Sequence, residues 1–154
     1  MELDILLVPY CAKVEIVTKE EEWYDELISI KEFFISEDVY TVGPVIFTKE
    51  VVGLEGVKYV VYIPLNAPIE PIPELSIEYQ PLLEVYPTLS HKCLDDEDIE
   101  AVYQSIEEYA LTNDLHLAER DYYHVMLEYA GGIVFEIHAE IDVDGVEGAW
   151  MNMD

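Results

Sequence analysis

The run YYHVMLEYAGGIVFEIHAEI, residues 122–141, decides the fold. Two stretches of alternating residues meet at Gly131-Gly132, and alternation interrupted by a Gly pair is the sequence form of a β-hairpin. Tyr123, Val125, Leu127 and Tyr129 share one face of the first strand, and Tyr122, His124, Met126 and Glu128 share the other. After the turn, Ile133, Phe135, Ile137, Ala139 and Ile141 form an apolar face, with Val134, Glu136, His138 and Glu140 on the reverse. An antiparallel sheet commonly packs one face on the core, so the polar face either meets water or lines a cavity.

Upstream of this hairpin, residues 81–93 (PLLEVYPTLSHKC) read as a strand. A helix running to about residue 112 follows, capped by Asp95 or Asp96, with Ile99, Val102, Tyr103, Ile106 and Ala110 as its apolar stripe. The first half has the same order. Residues 3–18 form a long strand bent at Pro9, and Thr18-Lys19-Glu20-Glu21 is a capping box for a helix over about 19–36. Trp23, Leu27, Ile30 and Phe34 recur at helical spacing. Two strands follow, near 40–51 and 57–65, with Gly53, Glu55 and Gly56 in their turn. Pro68, Pro71 and Pro73 make the segment between the halves an extended connector, because proline donates no ladder hydrogen bond.

The halves superimpose at an offset of 76 residues without a gap: Leu6-Leu7 on Leu82-Leu83, Tyr10 on Tyr86, Ser29-Ile30 on Ser105-Ile106, Asp38 on Asp114. Tyr59, Val61 and Ile63 fall on Phe135, Ile137 and Ala139, so the inward faces agree too. This predicts an α+β fold built from a duplicated strand–helix–strand–strand unit. Its antiparallel sheet would carry two helices on one face and an open groove on the other. The chain divides as one domain over 1–154: a first repeat at 1–66, the Pro-rich connector at 67–74, a second repeat at 75–141, and a tail at 142–154. Trp150 and Met151 of that tail are expected to dock on the body.

Charge narrows the partners. Seven Lys and Arg stand against 34 Asp and Glu, and the second half, with 19 acids and two bases, is the more acidic. Direct nucleic-acid binding needs clustered cations, and anionic membranes and phosphate substrates are disfavoured likewise. Cationic ligands or a basic protein surface are favoured. No apolar run approaches the roughly 18 residues of a membrane span. The opening MELDILLVPY has no basic segment of the kind that begins a signal peptide, and two distant cysteines suggest no disulfide framework, so a reducing cytoplasm is expected.

On three features the chain resembles the GyrI-like superfamily, the effector-binding domains of bacterial multidrug-sensing regulators and their stand-alone relatives. These are the duplicated unit, the strand ending Leu89-Ser90-His91-Lys92 before the second helix, and Leu127-Glu128-Tyr129 leading across a Gly turn to an apolar last strand. In that family a carboxylate at the base of an aromatic-lined cleft receives lipophilic cations, and Glu128 is the position the resemblance implies for it. The chain departs from the pattern in two ways. No helix-turn-helix region precedes the domain, and its last strand ends His138-Ala139-Glu140-Ile141, where the first half keeps the Pro-containing Tyr62-Ile63-Pro64-Leu65.

The candidate ligand-binding residues are therefore Glu128, Glu136, His138 and Glu140, with Tyr62, Tyr122 and Trp150 as an aromatic wall. A solvated sheet face is the alternative for the acids. His124 and His138 facing one side with Glu136 or Glu128 would make a plausible metal set, but no spacing signature supports one, so no metal and no cofactor are assigned. No Ser or Cys nucleophile stands in a recognisable context, so no catalytic residue is assigned, although a Glu–His pair can move protons. The function expected is a cationic or aromatic small-molecule binding module, monomeric or homodimeric. The alternative is an acidic cytoplasmic module docking on a basic partner, such as an immunity-type protein, a secretion accessory or a mimic of DNA's charge.

Overall fold

A computed structural model describes residues 1–53, 56–94, 98–118, 121–129 and 132–142. In chain order it holds β1 (Glu2–Thr18), α1 (Trp23–Ser36), β2 (Ile46–Gly53), β3 (Gly56–Pro64), β4 (Ile77–Cys93), α2 (Ile99–Thr112), β5 (Tyr123–Tyr129) and β6 (Gly132–Glu140). The order strand, helix, strand, strand thus occurs twice, the fold is α+β, and the ladders β1–β3, β2–β3, β4–β6 and β5–β6 are all antiparallel. None of the described helices is long and apolar enough to cross a membrane.

The chain forms two compact units. The N-terminal unit is Leu7–Leu83; the C-terminal unit is Met1–Leu6 together with Glu84 onward, so each long strand divides its length between the two. In the N-terminal unit, Ala12, Val14, Ile16, Val61 and Ile63 are buried to 5% exposure or less, on the face that Leu27 and Phe34 of α1 also bury. Trp23 lies flat on Tyr59 at 4.9 Å and against Phe47 at 4.7 Å, aromatic contacts that fix the start of α1. In the C-terminal unit, Val102, Ile106 and Ala110 of α2 form one core with Leu89, Cys93, Ile137, Ala139 and Ile141. Burying each of the leucine, valine and isoleucine side chains among them contributes about 1.5–3 kcal/mol.

Both helices end in the same way. Asp38 and Asp114 adopt left-handed backbone (φ 60° and 55°). Val39 N–H bonds Phe34 carbonyl at 2.9 Å and Leu115 N–H bonds Ala110 carbonyl at 2.8 Å, the long closing bond that satisfies a terminal carbonyl. Positions 38 and 114 are separated by the 76 residues read from the sequence. Bridges Thr41↔Leu65 and Leu117↔Ile141 keep that separation.

The ungapped offset fails in the outer strands. Lys13 pairs with Tyr62 and Ser90 pairs with His138; Tyr62 and His138 are 76 apart, but Lys13 and Ser90 are 77 apart. Because side chains alternate, a one-residue shift moves every residue to the other face, so the ladder follows burial instead of numerical alignment. Between β2 and β3 the register shifts by one between Val51 and Gly53, where Gly53 takes φ 150°, and β5–β6 has no such irregularity.

The helix starts also differ from expectation. Thr18 is still in the β1 ladder opposite Val57, so it cannot cap α1; its hydroxyl bonds Glu22 Oε2 at 3.3 Å, and α1 begins at Trp23 without a side-chain cap. Asp98, not Asp95 or Asp96, caps α2, its carboxylate accepting Glu100 N–H at 3.1 Å; residues 95–97 lie outside the described residues. β2 starts at Ile46 because Pro44 has no N–H to donate, leaving Thr41 as an isolated bridge. β4 extends upstream to Ile77, whose side chain is 1% exposed.

Two substitutions test this framework. Ile106→Ala, at a fully buried position, is expected to cost about 2–5 kcal/mol in urea unfolding. Asp114→Gly is expected to stabilise by about 0.5–1 kcal/mol, since glycine adopts the left-handed cap without penalty and a negative charge leaves the helix C-terminus.

Candidate functional site

The face of β4, β5 and β6 turned away from α2 carries a cluster of polar side chains. Its ladders place Thr88 opposite Glu140, Ser90 opposite His138, and Lys92 opposite Glu136. On the other side of β6, Tyr123 lies opposite His138 and Val125 opposite Glu136. Residues directly opposite one another share a face, so Glu136, His138 and Glu140 are together as the alternation predicts.

His138 is the centre of this face. It is 1% exposed, and both ring nitrogens are engaged: Nδ1 lies 2.9 Å from Thr88 Oγ1 and Nε2 lies 2.7 Å from Glu136 Oε1. An ionised carboxylate only accepts, so Nε2–H donates to Glu136, while the Thr88 hydroxyl, which can donate or accept, holds Nδ1. Glu136, at 26% side-chain exposure, keeps its outer oxygen within reach of solvent. From β1, Asp4 joins the group: Ser90 Oγ donates to Asp4 Oδ2 at 3.3 Å, and Ile5 N–H bonds Asp4 Oδ1 at 2.8 Å. Asp4, Ser90 and Thr88 are the members that sequence reading missed. The only signal for them is a polar residue every second position, Thr88 and Ser90, in a strand otherwise read as apolar.

The remaining expected residues lie elsewhere. Glu128 is exposed and pairs with Ile133, which shares the face of Phe135 and Ile137, so it is not Glu136's neighbour at the base of a cleft. His124 likewise pairs with Ile137, on the opposite face from His138, which dissolves the pairing of the two histidines. It bonds Tyr103 of α2 through Nε2. Tyr122 stacks on Tyr103 at 4.5 Å and donates to Glu107 at 2.8 Å, bracing α2 against the hairpin. Burial, then the Glu107 bond and charge, push its phenol well above the usual range. Tyr62 is in the N-terminal unit, opposite Lys13 and Ile46 and 8% exposed. Trp150 lies outside the described residues.

A cavity of about 480 Å³ opens in the N-terminal unit, lined by Lys13, Glu15, Pro71, Pro73, Ser76, Ile77 and Glu78. It forms where the Pro-rich connector passes β1, and none of the six expected residues that the structure describes lines it.

The sequence matches, over residues 6–145, the family described as a domain of unknown function, DUF5085. The chain belongs to the DUF5085 family. No curated protein sequence matches it. The DUF5085 fold is similar to the crystal structure of the EcmrR C-terminal domain (TM-score 0.59, 11% identity, 92% of this chain and 97% of that one). It is also similar to EcmrR in a cryo-EM EcmrR–DNA complex (TM-score 0.61, 10% identity, 92% of this chain), of which it spans just over half, 57%. At such identities the likeness is one of fold.

Cys11 of this DUF5085 chain is a poor nucleophile. Cys11 and Cys93 are both buried, and burial pushes the Cys11 thiol up to about 11 against a smaller opposing hydrogen bond with the Leu83 backbone. Tyr59, also buried and close to Glu20 and Glu21, is pushed up to about 12. Each group is more acidic when unfolded, so its contribution is complete below the unfolded value and disappears as pH rises through the folded one. Stability is therefore expected to fall from pH 9 upward. Cys11→Ala should flatten the part between pH 9 and 11, worth up to about 2–3 kcal/mol. Urea midpoints measured from pH 8 to 11 check this.

Proposed function

We propose that this protein is a small-molecule binding module of the GyrI-like type, taking a cationic, partly aromatic ligand on the face of its C-terminal unit away from α2. The observation that carries this reading is Glu136. It is a carboxylate oriented by a fully buried histidine, yet open enough to reach a ligand, on a face that also presents Glu140 and Tyr123. A cation there gains a charge-assisted contact in a poorly hydrated setting and ring-face attraction from the tyrosine. The fold shared with the EcmrR C-terminal domain supports a ligand-binding role, and the absence of a basic cluster in the sequence argues against direct DNA contact. His138 serves here to position Glu136, and no proton transfer to substrate is assigned to it.

The second reading, an acidic module docking on a basic partner, is favoured by the net charge of −27. Such association would weaken steeply with salt, since surface charges are screened beyond about 8–10 Å.

A titration separates the two. A lipophilic quaternary ammonium dye and its neutral isostere are titrated, with a metal chelator present, into wild type, Glu136→Gln and Glu128→Gln. Wild type and Glu128→Gln are expected to prefer the cation by about tenfold, roughly 1.4 kcal/mol, and Glu136→Gln to lose that preference while retaining its fold. Equal binding of both compounds by all three proteins would sink the assignment to Glu136. Binding of neither compound moves the conclusion to the docking reading.

A further inference from the structure

We propose that Asp4, Glu136 and His138 form a divalent metal site for a first-row transition ion such as Zn²⁺. The inference goes beyond the small-molecule reading and does not depend on it.

One donor atom from each of the three residues lies within 4.8 Å of the others. Two carboxylates and one imidazole are the donors that borderline ions of the zinc type accept, and alkaline-earth ions prefer oxygen alone. Ligands about 2.0–2.2 Å from such an ion stand roughly 3–4 Å apart, so the longest separation must close by up to about 1–2 Å. Rotation of the two partly exposed carboxylates supplies that movement, while His138 stays fixed in the strand.

The histidine is already prepared for the role. Thr88, 0% exposed, holds Nδ1 at 2.9 Å, and that contact aims Nε2 at Glu136. When the ion takes Nε2, the proton that Nε2 carried moves by way of solvent to Nδ1, and Nδ1–H then donates to the Thr88 hydroxyl. A hydroxyl can reverse roles in this way because it both donates and accepts. A metal-bound imidazole whose other nitrogen is tied to a buried group is the usual arrangement at such sites. Ser90, 5% exposed and opposite His138, does the same for Asp4 by donating to Oδ2 at 3.3 Å. Three protein ligands leave at least one coordination position free for water or a ligand atom, on the side where the carboxylates reach solvent.

The test is calorimetric titration of the full chain with Zn²⁺, and with Co²⁺ followed by its visible absorption, alongside Mg²⁺ as the hard-ion control. Wild type is expected to bind one equivalent of Zn²⁺ and to ignore Mg²⁺ at the same concentration. Asp4→Asn and Glu136→Gln should each weaken the site tenfold or more, and removal of the exposed His116 by alanine should change nothing. Thr88→Val should weaken it about tenfold and Thr88→Ser should restore it, which a purely structural role for the hydroxyl would not produce. His138→Gln is read only if circular dichroism shows a retained fold. The proposal is overturned if wild type takes up no stoichiometric Zn²⁺, or if Asp4→Asn, Glu136→Gln and Thr88→Val all bind it as wild type does. Either of those results leaves the dye titration, run with chelator, to decide the small-molecule reading separately.

Discussion

Everything in the C-terminal unit depends on the register of β6 between β4 and β5. With Ile137 opposite His91 and Ala139 opposite Leu89, the apolar side chains of β6 meet Val102, Ile106 and Ala110 of α2. The same register sends Glu136, His138 and Glu140 to the reverse face, where Thr88 and Ser90 wait at matching positions. A slip of one residue would place carboxylates under the helix and isoleucines on the open side. The cost of burying unpaired charge forbids that arrangement. Core and candidate site are therefore two consequences of one parity.

The two units show how far a shared architecture constrains its details. Their helices span the same length, end on left-handed aspartates, and close with equivalent hydrogen bonds. Their outer strands are nevertheless displaced by one residue relative to a uniform offset, and among the described residues the irregularity at Val51–Gly53 has no counterpart in the β5–β6 ladder. Helix ends are local structures, governed by nearby hydrogen bonds. Strand registers are settled by which side chains must be buried, so they can shift while the helix ends stay in step.

Histidine and tyrosine have divided roles across the sheet. On the helix side, His124, Tyr103, Tyr122 and Glu107 link α2 to β5 through ring stacking and hydrogen bonds. On the other side, His138 is enclosed by Thr88 and Glu136, and it orients the Glu136 carboxylate, which stays partly exposed. A strongly acidic chain has no difficulty presenting carboxylates. What distinguishes Glu136 is that its geometry is held by a buried partner, unlike Glu128 at the exposed end of the hairpin.

By itself the sequence determined the α+β class, the repeated order of elements, the apolar stripes of both helices and the two faces of β6. Each of these is written in a period, 3.6 or 2, that a short window contains. It also determined that Asp38 and Asp114 occupy equivalent places. The tertiary structure alone decided the helix starts, because Thr18 was claimed by a ladder partner 39 residues away, Val57, and Asp98 sat closer to the first turn of α2. It alone decided that Glu128 and Glu136 are on opposite faces, since hairpin register depends on the turn joining the strands. And it alone brought Asp4 to Ser90, 86 positions apart in the chain. Periodicity shows which way a side chain points within its own strand; which distant strand lies beside it is set by long-range pairing, which no local window holds.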